Sequence, residues 1–311
     1  MCSDAFHAGE RKIQAEYGLS EKMQAIGATV LRPFLPEQHR RFFETLPWVF
    51  LGAEDREKFV WASLRIGSPG FVSTPNPRLL RIQSLPFVQD PLSELQVGQD
   101  LGILGLEFET RRRNRVSTQV VEAGPEELCL SVRQSFGNCP KYIQIRTLCP
   151  VSRNPVQAKC LDFNTLAPQQ RELIENSDCF FIASVYQAGK NLPSEGADLS
   201  HRGGKPGFVR VESQETLLFP DFSGNRFFNT LGNIVMDPRV GLLFLDFVSG
   251  DLLFLSGRAE IIGSGPELQA FQGAERLIRF RLARGRMLEK ALPWSWDLGE
   301  ASPALAFTGS W

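Results

Sequence analysis

The chain has 311 residues, with 34 Lys and Arg against 35 Asp and Glu, so its formal net charge at pH 7 is −1. This balance argues against a broadly basic surface for nucleic acid or anionic membranes, so any anion site must be local. The first 21 residues are rich in charged side chains, and no apolar run reaches the ~18 residues of a membrane span. We therefore expect a cytoplasmic protein with no secretory signal and no membrane anchor.

The apolar pattern changes along the chain in a way that predicts helices first and strands afterwards. Residues 1–45 have helical spacing and form a predicted N-terminal arm. From Trp48, short apolar runs are separated by Gly, Pro, Asn and Asp, which is typical of an antiparallel sheet or barrel. The same pattern restarts at Cys179. A helical connector is expected around residues 161–178, and one helix before the central hairpin of each copy, at Pro91–Gln96 and Arg226–Met236.

One motif occurs twice. Residues 65–72 and 202–209 both read R-x-G-x-P-G-F-V, at an offset of 137 (202 − 65), and residues 101–119 align without gaps on residues 240–258. A period of this length indicates one domain copied once rather than a solenoid. We therefore predict a mainly β chain with peripheral helices, divided into an arm (1–45), a first copy (46–160) and a second copy (161–311), with the copies paired as an internal pseudo-dimer.

The cysteines do not have the spacing of a metal site. They include no C-x-x-C pair, and only three histidines accompany them. We expect reduced thiols packed as small apolar side chains and no bound metal. The six are Cys2, Cys129, Cys139, Cys149, Cys160 and Cys179.

Only the second copy carries residues suited to an anion just before its predicted helix. Ser223 offers a hydroxyl, Gly224 allows backbone N–H groups to approach, and Asn225 and Arg226 follow at the mouth of the helix. The first copy has residues 82–90 at this place, without such a set. The same stretch is also good turn chemistry, so a phosphate site and a well-capped turn both remain open.

Further polar residues flank this stretch. Ser200, His201 and Arg202 precede the glycine pair Gly203-Gly204, which at a strand end could admit a flat ligand, although an exposed bulge is the alternative. The first copy has two features of its own, the arginine run at 111–115 and the segment 134–144. Arginine runs are usually solvated, but here they also suggest a composite site between the copies.

Three stretches together resemble the FMN-binding split barrels related to pyridoxamine 5′-phosphate oxidase. They are residues 200–209, 220–226 and 237–244, and residues 138–143 resemble a segment near the end of such domains. The resemblance spans about residues 45–290. It implies tandem Greek-key split barrels in which FMN lies in the groove between the two copies.

The resemblance also implies which residues hold the cofactor. The phosphate would be bound by Ser223, Asn225 and Arg226, with Asn229 one turn later, and the ring-binding strand maps onto residues 200–202. The second copy would build one good site, closed by the first, and the pseudo-symmetric groove would be empty or altered. The candidate cofactor-binding residues are Ser200, His201, Arg202, Gly203, Phe219, Pro220, Asp221, Ser223, Gly224, Asn225, Arg226, Asn229, Asn138, Cys139, Lys141 and Arg113.

The chain departs from the family at its C-terminus. Pyridoxamine phosphate oxidases end in a segment rich in Arg and His, whereas this chain ends at residues 292–311 without one, so vitamin B6 oxidation is not expected. The expected function is an FMN-dependent oxidoreductase of unknown substrate, in which Arg202 and Lys141 stabilise negative charge and His201 relays a proton. Electrons would come from a separate NAD(P)H or ferredoxin-type reductase. A non-catalytic flavin carrier or sensor, a haem or tetrapyrrole binder, and a homodimer formed through the arm all stay open.

Overall fold

The structure is a computed structural model that describes residues 5–151, 158–189 and 192–311. It contains six α-helices, with bounds α1 Ala8–Glu16, α2 Ser20–Val30, α3 Glu37–Thr45, α4 Pro168–Asn176, α5 Asn229–Met236 and α6 Pro266–Ala270, and a 3-10 helix at Pro303–Phe307. The strands up to the connector are β1 Trp48–Glu54, β2 Val60–Ile66, β3 Val72–Asn76, β4 Leu79–Gln83, β5 Asp100–Glu107, β6 Arg112–Ala123, β7 Glu127–Gly137, β8 Arg146–Pro150 and β9 Lys159–Phe163. The later strands are β10 Cys179–Tyr186, β11 Gly196–Gly203, β12 Arg210–Val211, β13 Thr216–Phe222, β14 Arg239–Leu245, β15 Leu252–Ile262, β16 Ala274–Glu289 and β17 Trp294–Leu298.

Two large antiparallel sheets have the same strand order. The first is β2-β1-β5-β6-β7-β4-β3 and the second is β11-β10-β14-β15-β16-β13-β12. Each strand in the second of these orders corresponds to the strand nine places earlier in the first, and the eighth strand of the second sheet, β9, has no such counterpart. The predicted mainly β, tandem split-barrel fold with peripheral helices is therefore confirmed. The exact boundaries at residues 45 and 160 stay predictions, and β9, which pairs with β16, lies across the second of them.

The repeated R-x-G-x-P-G-F-V motif builds the same turn in both copies. Gly70 and Gly207 have φ of +96° and +83°, in the left-handed region that favours glycine. A side chain on Gly67 or Gly204 would collide with the ring of the phenylalanine four residues later, at 2.4 and 2.3 Å. The motif is thus mainly scaffold.

The two copies meet around a stacked pair of equivalent phenylalanines. Phe50 of β1 and Phe181 of β10 lie with ring centroids 3.7 Å apart and planes 15° from parallel. Both rings are buried in one apolar cluster that draws on both copies. Two equivalent residues can touch each other only near a two-fold axis, so this stack marks the pseudo-two-fold axis of the predicted internal pseudo-dimer.

Glycines on either side of the axis let the two backbones come close. A Cβ on Gly102 would lie 2.8 Å from the backbone of Asp198, and a Cβ on its equivalent Gly241 would lie 2.5 Å from the backbone of Trp61. The contact is reciprocal, as in an isologous interface. The close approach fixes the copies against each other and shapes the groove between them.

The N-terminal arm is helical, as predicted, and α1 packs on α5 of the second copy. Two local predictions differ from the structure. Pro91–Gln96 forms a short turn followed by irregular chain instead of a helix, and Asp90 accepts from the Leu92 N–H at 2.7 Å where the turn begins. The expected connector helix begins only at Pro168, since residues 159–163 form a strand instead. No helix within the described ranges is long and apolar enough to cross a membrane.

The phenylalanine stack provides a test of the interface. We expect Phe181→Ala to lower the free energy of unfolding by about 3–5 kcal/mol, because it leaves a cavity in a fully buried site. The measurement is urea denaturation of the purified protein. Phe307→Ala is the control, since that ring is 74% exposed. A loss at Phe181 no greater than the loss at Phe307 would contradict the interface described.

Candidate functional site

A cavity of about 90 Å³ lies between the two copies, beside the first turn of α5. The first copy contributes β6 and the segment after β7, and the second copy contributes β11, the end of β13 and the loop before α5. The lining residues are Arg113, Arg115, Asn138, Cys139, Ser200, His201, Arg202, Asp221, Phe222, Gly224, Asn225, Arg226, Phe228, Asn229, Thr230 and Leu231.

The loop before α5 is held in an unusual conformation. Arg226 and Phe228 have φ of +66° and +63°, which is uncommon for residues with a side chain. Asn225 shapes the turn by accepting a hydrogen bond from the Phe227 N–H at 3.1 Å. The loop leads into α5, whose first N–H groups have no intrahelical acceptor and therefore favour an anion.

Positive charge exceeds negative charge in this cavity. Its walls contain four arginines and a single carboxylate, Asp221. Arg202 and Arg276 share that carboxylate. The other carboxylates near these arginines are Glu275, which accepts from both Nη atoms of Arg226 at 2.6 Å, and Asp198, which pairs with Arg115.

The arginines affect one another's protonation. Burial lowers the pKa of Arg115 to about 9, with Arg113 and Arg202 adding to the effect. Burial also lowers the pKa of Arg113. The pKa of His201 lies well below its ordinary value because the ring is buried and Arg113, Arg146 and Arg202 are near. A bound anion would oppose all of these shifts.

Several polar atoms at the cavity are buried without a hydrogen-bond partner among the described residues. They come from both copies: Asn138 Oδ1, His201 Nε2, Arg202 Nε and Asn229 Oδ1. Such atoms are costly unless something else satisfies them. Their concentration around one cavity favours a polar ligand there.

A carboxyl from the N-terminal arm lies behind this cavity. Glu10 of α1 is 2% exposed and accepts hydrogen bonds from the His7 N–H at 2.7 Å and from Asn229 Nδ2. Burial raises the pKa of the Glu10 carboxyl to about 8. The group is therefore mostly protonated at neutral pH and leaves the positive charge of the cavity uncompensated.

In the equivalent groove of the first copy, an internal carboxylate binds the corresponding serine and arginine. Ser63 and Arg65, the counterparts of Ser200 and Arg202, both bind Asp90 Oδ2, at 2.6 and 2.8 Å. Arg65 also donates to the Leu92 carbonyl at 2.7 Å. The Asp90 side chain is wholly buried in this pair. Its carboxylate therefore satisfies Ser63 and Arg65, whereas their counterparts in the second copy face the cavity.

The structure brings eleven of the sixteen predicted site residues into the cavity wall. The other five are Gly203, Phe219, Pro220, Ser223 and Lys141, and none of them lines it. Phe219 and Pro220 are buried in β13, and Lys141 is exposed. Ser223 lies beside the cavity, where its carbonyl accepts from the Tyr142 hydroxyl at 3.1 Å.

Two chemical expectations need correction. The space beside Gly203 is filled by the carbonyl of Tyr142, which a Cβ would meet at 2.0 Å, so the glycine pair does not admit a flat ligand. His201 is held in its neutral form by burial and by the arginines around it, which makes a proton relay through an imidazolium unfavourable.

Sequence reasoning included Arg115 only within the arginine run 111–115 and did not name it as a site residue, and it missed the aromatic residues Phe222 and Phe228 and the first helical residues after Asn229. Alternation along a strand would have identified Arg115, because residues two apart share a face and Arg113 was already a candidate. Arg112, between them, instead stacks on Phe42 at 4.5 Å. The sequence carries no comparable signal for the contribution of Glu10, which is 219 residues from Asn229.

A larger cleft of about 570 Å³ lies beside Phe247 and Trp296, and its arginine, Arg146, is held by both carboxylate oxygens of Asp178. The five cysteines in the described ranges are free, while Cys2 lies outside those ranges. Within these ranges no group of His, Cys, Asp or Glu side chains is arranged to hold a metal ion.

Residues 166–289 match the model of the family described as pyridoxamine 5′-phosphate oxidase. The match covers most of the second copy and less than half of the whole chain, so it is the second copy that is similar to this family. The first copy lies outside the matched residues but has the same strand order. The chain is therefore a tandem split-barrel protein related to the pyridoxamine 5′-phosphate oxidases. No curated protein matches the sequence.

Solved structures show more distant similarity. A protein related to general stress protein 26, of the pyridoxinephosphate oxidase family, from Clostridium acetobutylicum is 11% identical, with 42% of this chain and 92% of that chain covered and a TM-score of 0.29. The FAD binding protein from Mycobacterium smegmatis is 13% identical, with coverages of 41% and 99% and a TM-score of 0.27. HupZ from Group A Streptococcus is 14% identical, with coverages of 39% and 91% and a TM-score of 0.31. These similarities are too distant to carry a functional argument.

The buried carboxyl of Glu10 predicts a pH dependence of stability. Its pKa is about 8 in the folded protein and 4.5 as the reference for the unfolded chain. Between these values the unfolded chain loses the proton that the folded protein keeps, so this group's stabilisation falls as pH rises from about 5 to 8 and is gone above that range. We expect Glu10→Gln, which mimics the neutral acid, to flatten the fall in Tm.

The measurement is Tm against pH from 5 to 9 for the original protein and the variant. Glu16→Gln is the matched control, because Glu16 is an exposed residue of the same helix. Parallel Tm curves for the original protein and Glu10→Gln would show that Glu10 is ionised in the folded state at neutral pH.

Proposed function

We propose that the protein binds FMN at the cavity between its two copies and acts as an FMN-dependent oxidoreductase. The observation that carries the proposal is the contrast between the two grooves. Ser63 and Arg65 both bind the buried carboxylate of Asp90, whereas Arg202 shares Asp221 with Arg276 and, with Ser200, faces a cavity with an excess of arginines. The family of the second copy supports a flavin as the ligand.

The residues present fit the phosphate end of FMN. Arg226, the Asn225 loop and the first turn of α5 surround space into which Gly224 projects no side chain, since a Cβ there would meet no protein atom within 4 Å. Guanidinium groups and free N–H groups are the donors that phosphate prefers. A phosphate dianion would also balance the positive charge described above.

The ring system needs more room than the enclosed cavity offers. A cavity of about 90 Å³ is smaller than the roughly 300–1,000 Å³ of pockets that bury a ligand of this size. Asn138 and Cys139 lie on the side of the first copy and are only partly buried. We infer that binding the ring displaces this segment outward from β11.

Bound FMN would supply the electron-transfer chemistry. The chain's own residues would bind the phosphate, orient the ring and limit access of water. Arg202 keeps Nε free of a partner within the described residues, so it can donate to an electronegative atom of a ligand. His201 is neutral and offers Nε2 at the buried end of the site.

One polypeptide supplies both walls of the site, so a second chain is not required to complete it. The donor of electrons in this proposal is a separate NAD(P)H- or ferredoxin-linked reductase. The substrate of the oxidoreductase is not specified by these residues.

The visible spectrum of the purified protein, with and without added FMN, tests the proposal. We expect flavin bands and a stoichiometry of one FMN per chain, because in the first copy Asp90 already pairs with Arg65, the counterpart of Arg202. Bleaching by NAD(P)H with a reductase present would support an enzyme over a carrier. A Soret band would favour the tetrapyrrole alternative, and a protein that ignores FMN would refute the proposal.

Replacing Arg226, an arginine of the proposed phosphate site, should weaken binding of the cofactor. We expect Arg226→Ala to weaken FMN binding about a hundredfold, because a charge-assisted contact of about 2–3 kcal/mol is lost and Glu275 keeps only its 3.7 Å contact with Arg276. The measurement is quenching of FMN fluorescence during titration with protein.

Two controls bracket this result. Arg279→Ala removes an arginine that also pairs with carboxylates, Glu212 and Glu267, but lies outside the cavity wall. Gln89→Ala changes the corresponding region of the first copy. Equal losses of FMN affinity in all three variants would rule out an asymmetric site.

A further inference from the structure

The N-terminal arm is fixed to the cofactor side of the second copy. A Cβ on Gly9 of α1 would lie 2.1 Å from the carbonyl oxygen of Gly232 in α5, and a Cβ on Gly232 would lie 2.6 Å from the backbone nitrogen of Glu10. The two helices therefore touch backbone to backbone. Such an approach holds α1 in one position relative to α5.

The arm binds the end of the loop before α5 and the first residue of α5. Gln14 Nε2 donates to the Phe227 carbonyl at 3.2 Å, and Glu10 accepts from Asn229. The ring of Phe6 lies edge-on to Phe227 with centroids 5.4 Å apart. These contacts hold Phe227 and Asn229, the neighbours of Phe228, and Phe227 also follows Arg226. Arg226 and Phe228 have left-handed backbone conformations, which persist only where surrounding contacts fix them.

Tyr17, just after α1, lies against Arg226 of the cavity wall and against Arg276, which lies outside the wall and binds Asp221. Its ring centroid is 5.5 Å from Cζ of Arg226 and 4.8 Å from Cζ of Arg276. The same ring packs on Phe228 with centroids 5.6 Å apart. An aromatic face attracts guanidinium groups, so Tyr17 restricts both arginines without neutralising their charge.

This arrangement matters because carboxylates compete for the same arginines. Glu275 binds both Nη atoms of Arg226, and Asp221 binds Arg276. A further carboxylate at the position of Tyr17 would cancel the charge that an anion needs. An aromatic ring instead orders the guanidinium groups and leaves that charge in place.

We propose that the arm is a positioning element for the phosphate of the cofactor, in which Tyr17 holds Arg226 and Arg276 in place for the anion. The inference rests on the proposed FMN site. It assigns a role in cofactor affinity to residues of a segment outside both barrels. Tyr17 is 41% exposed, so replacing it should leave the fold intact.

The test compares Tyr17→Ala and Tyr17→Phe in the full-length protein. FMN and riboflavin are titrated separately, because riboflavin has the ring but no phosphate. We expect Tyr17→Ala to weaken FMN binding about three- to tenfold, as for the loss of one or two exposed cation–π contacts, with riboflavin binding unchanged. Tyr17→Phe should restore FMN affinity, because the aromatic face is retained.

Phe34→Ala is the matched control, since Phe34 is an aromatic residue of the same N-terminal region with 38% exposure. Tm is measured for every variant. An unchanged FMN affinity in Tyr17→Ala, or an equal loss for FMN and riboflavin, would overturn the inference.

Inorganic pyrophosphate serves as a second probe, read by its thermal shift. A protein that binds pyrophosphate but not FMN would refute the proposed function, and the positioning role would then be decided by whether Tyr17→Ala reduces the pyrophosphate shift. A protein that binds neither anion would refute both.

Discussion

The close contact between the two copies is the constraint on which the candidate site depends. Phe50 and Phe181 stack across the pseudo-two-fold axis, and Gly102 and Gly241 let each backbone approach the other copy. Any side chain at either glycine would push the copies apart. Because the groove is bounded by both sheets, its width follows from these contacts rather than from the loops that line it.

Pseudo-symmetry creates two grooves, and one carboxylate makes them different. In the first copy Asp90 satisfies Ser63 and Arg65, and the backbone of Leu92 closes the remaining contacts. The carboxylate bound to a buried arginine neutralises the charge of the guanidinium group, so the arginine has little affinity for a further anion. In the second copy Asp221 is shared between Arg202 and Arg276, so the same framework keeps unbalanced positive charge.

The features that could be predicted from sequence are those encoded locally or by repetition. The duplicated R-x-G-x-P-G-F-V turn predicted two equivalent folds, because each glycine in it has a local conformational or packing reason. The loop before α5 was also predicted as a candidate anion site, since its polar residues are adjacent in the chain. The pairing of Asp90 with Arg65 in the first groove was not, because the two residues are 25 positions apart and nothing near either of them indicates the pair.

Glycine and histidine show where local reasoning fails. Gly203 suggested space for a ligand, but its neighbour is Tyr142 of the first copy, which only the tertiary structure reveals. His201 suggested proton transfer, but its surroundings hold the ring neutral. The importance of a residue at this site depends on which side chain of the other copy faces it.

The charge of the cavity has a consequence for the stability of the whole chain. Guanidinium groups taken out of water without enough carboxylates carry a desolvation cost, and here Arg113 and Arg115 respond with a lowered pKa. The fold must offset this cost elsewhere, and the apolar contact around Phe50 and Phe181 is the largest feature available to do so. An anion that binds only the folded protein would remove part of the cost, which links cofactor binding to stability in the same direction. The interface between the copies therefore does more than shape the groove: it keeps the arginines close together before any ligand arrives.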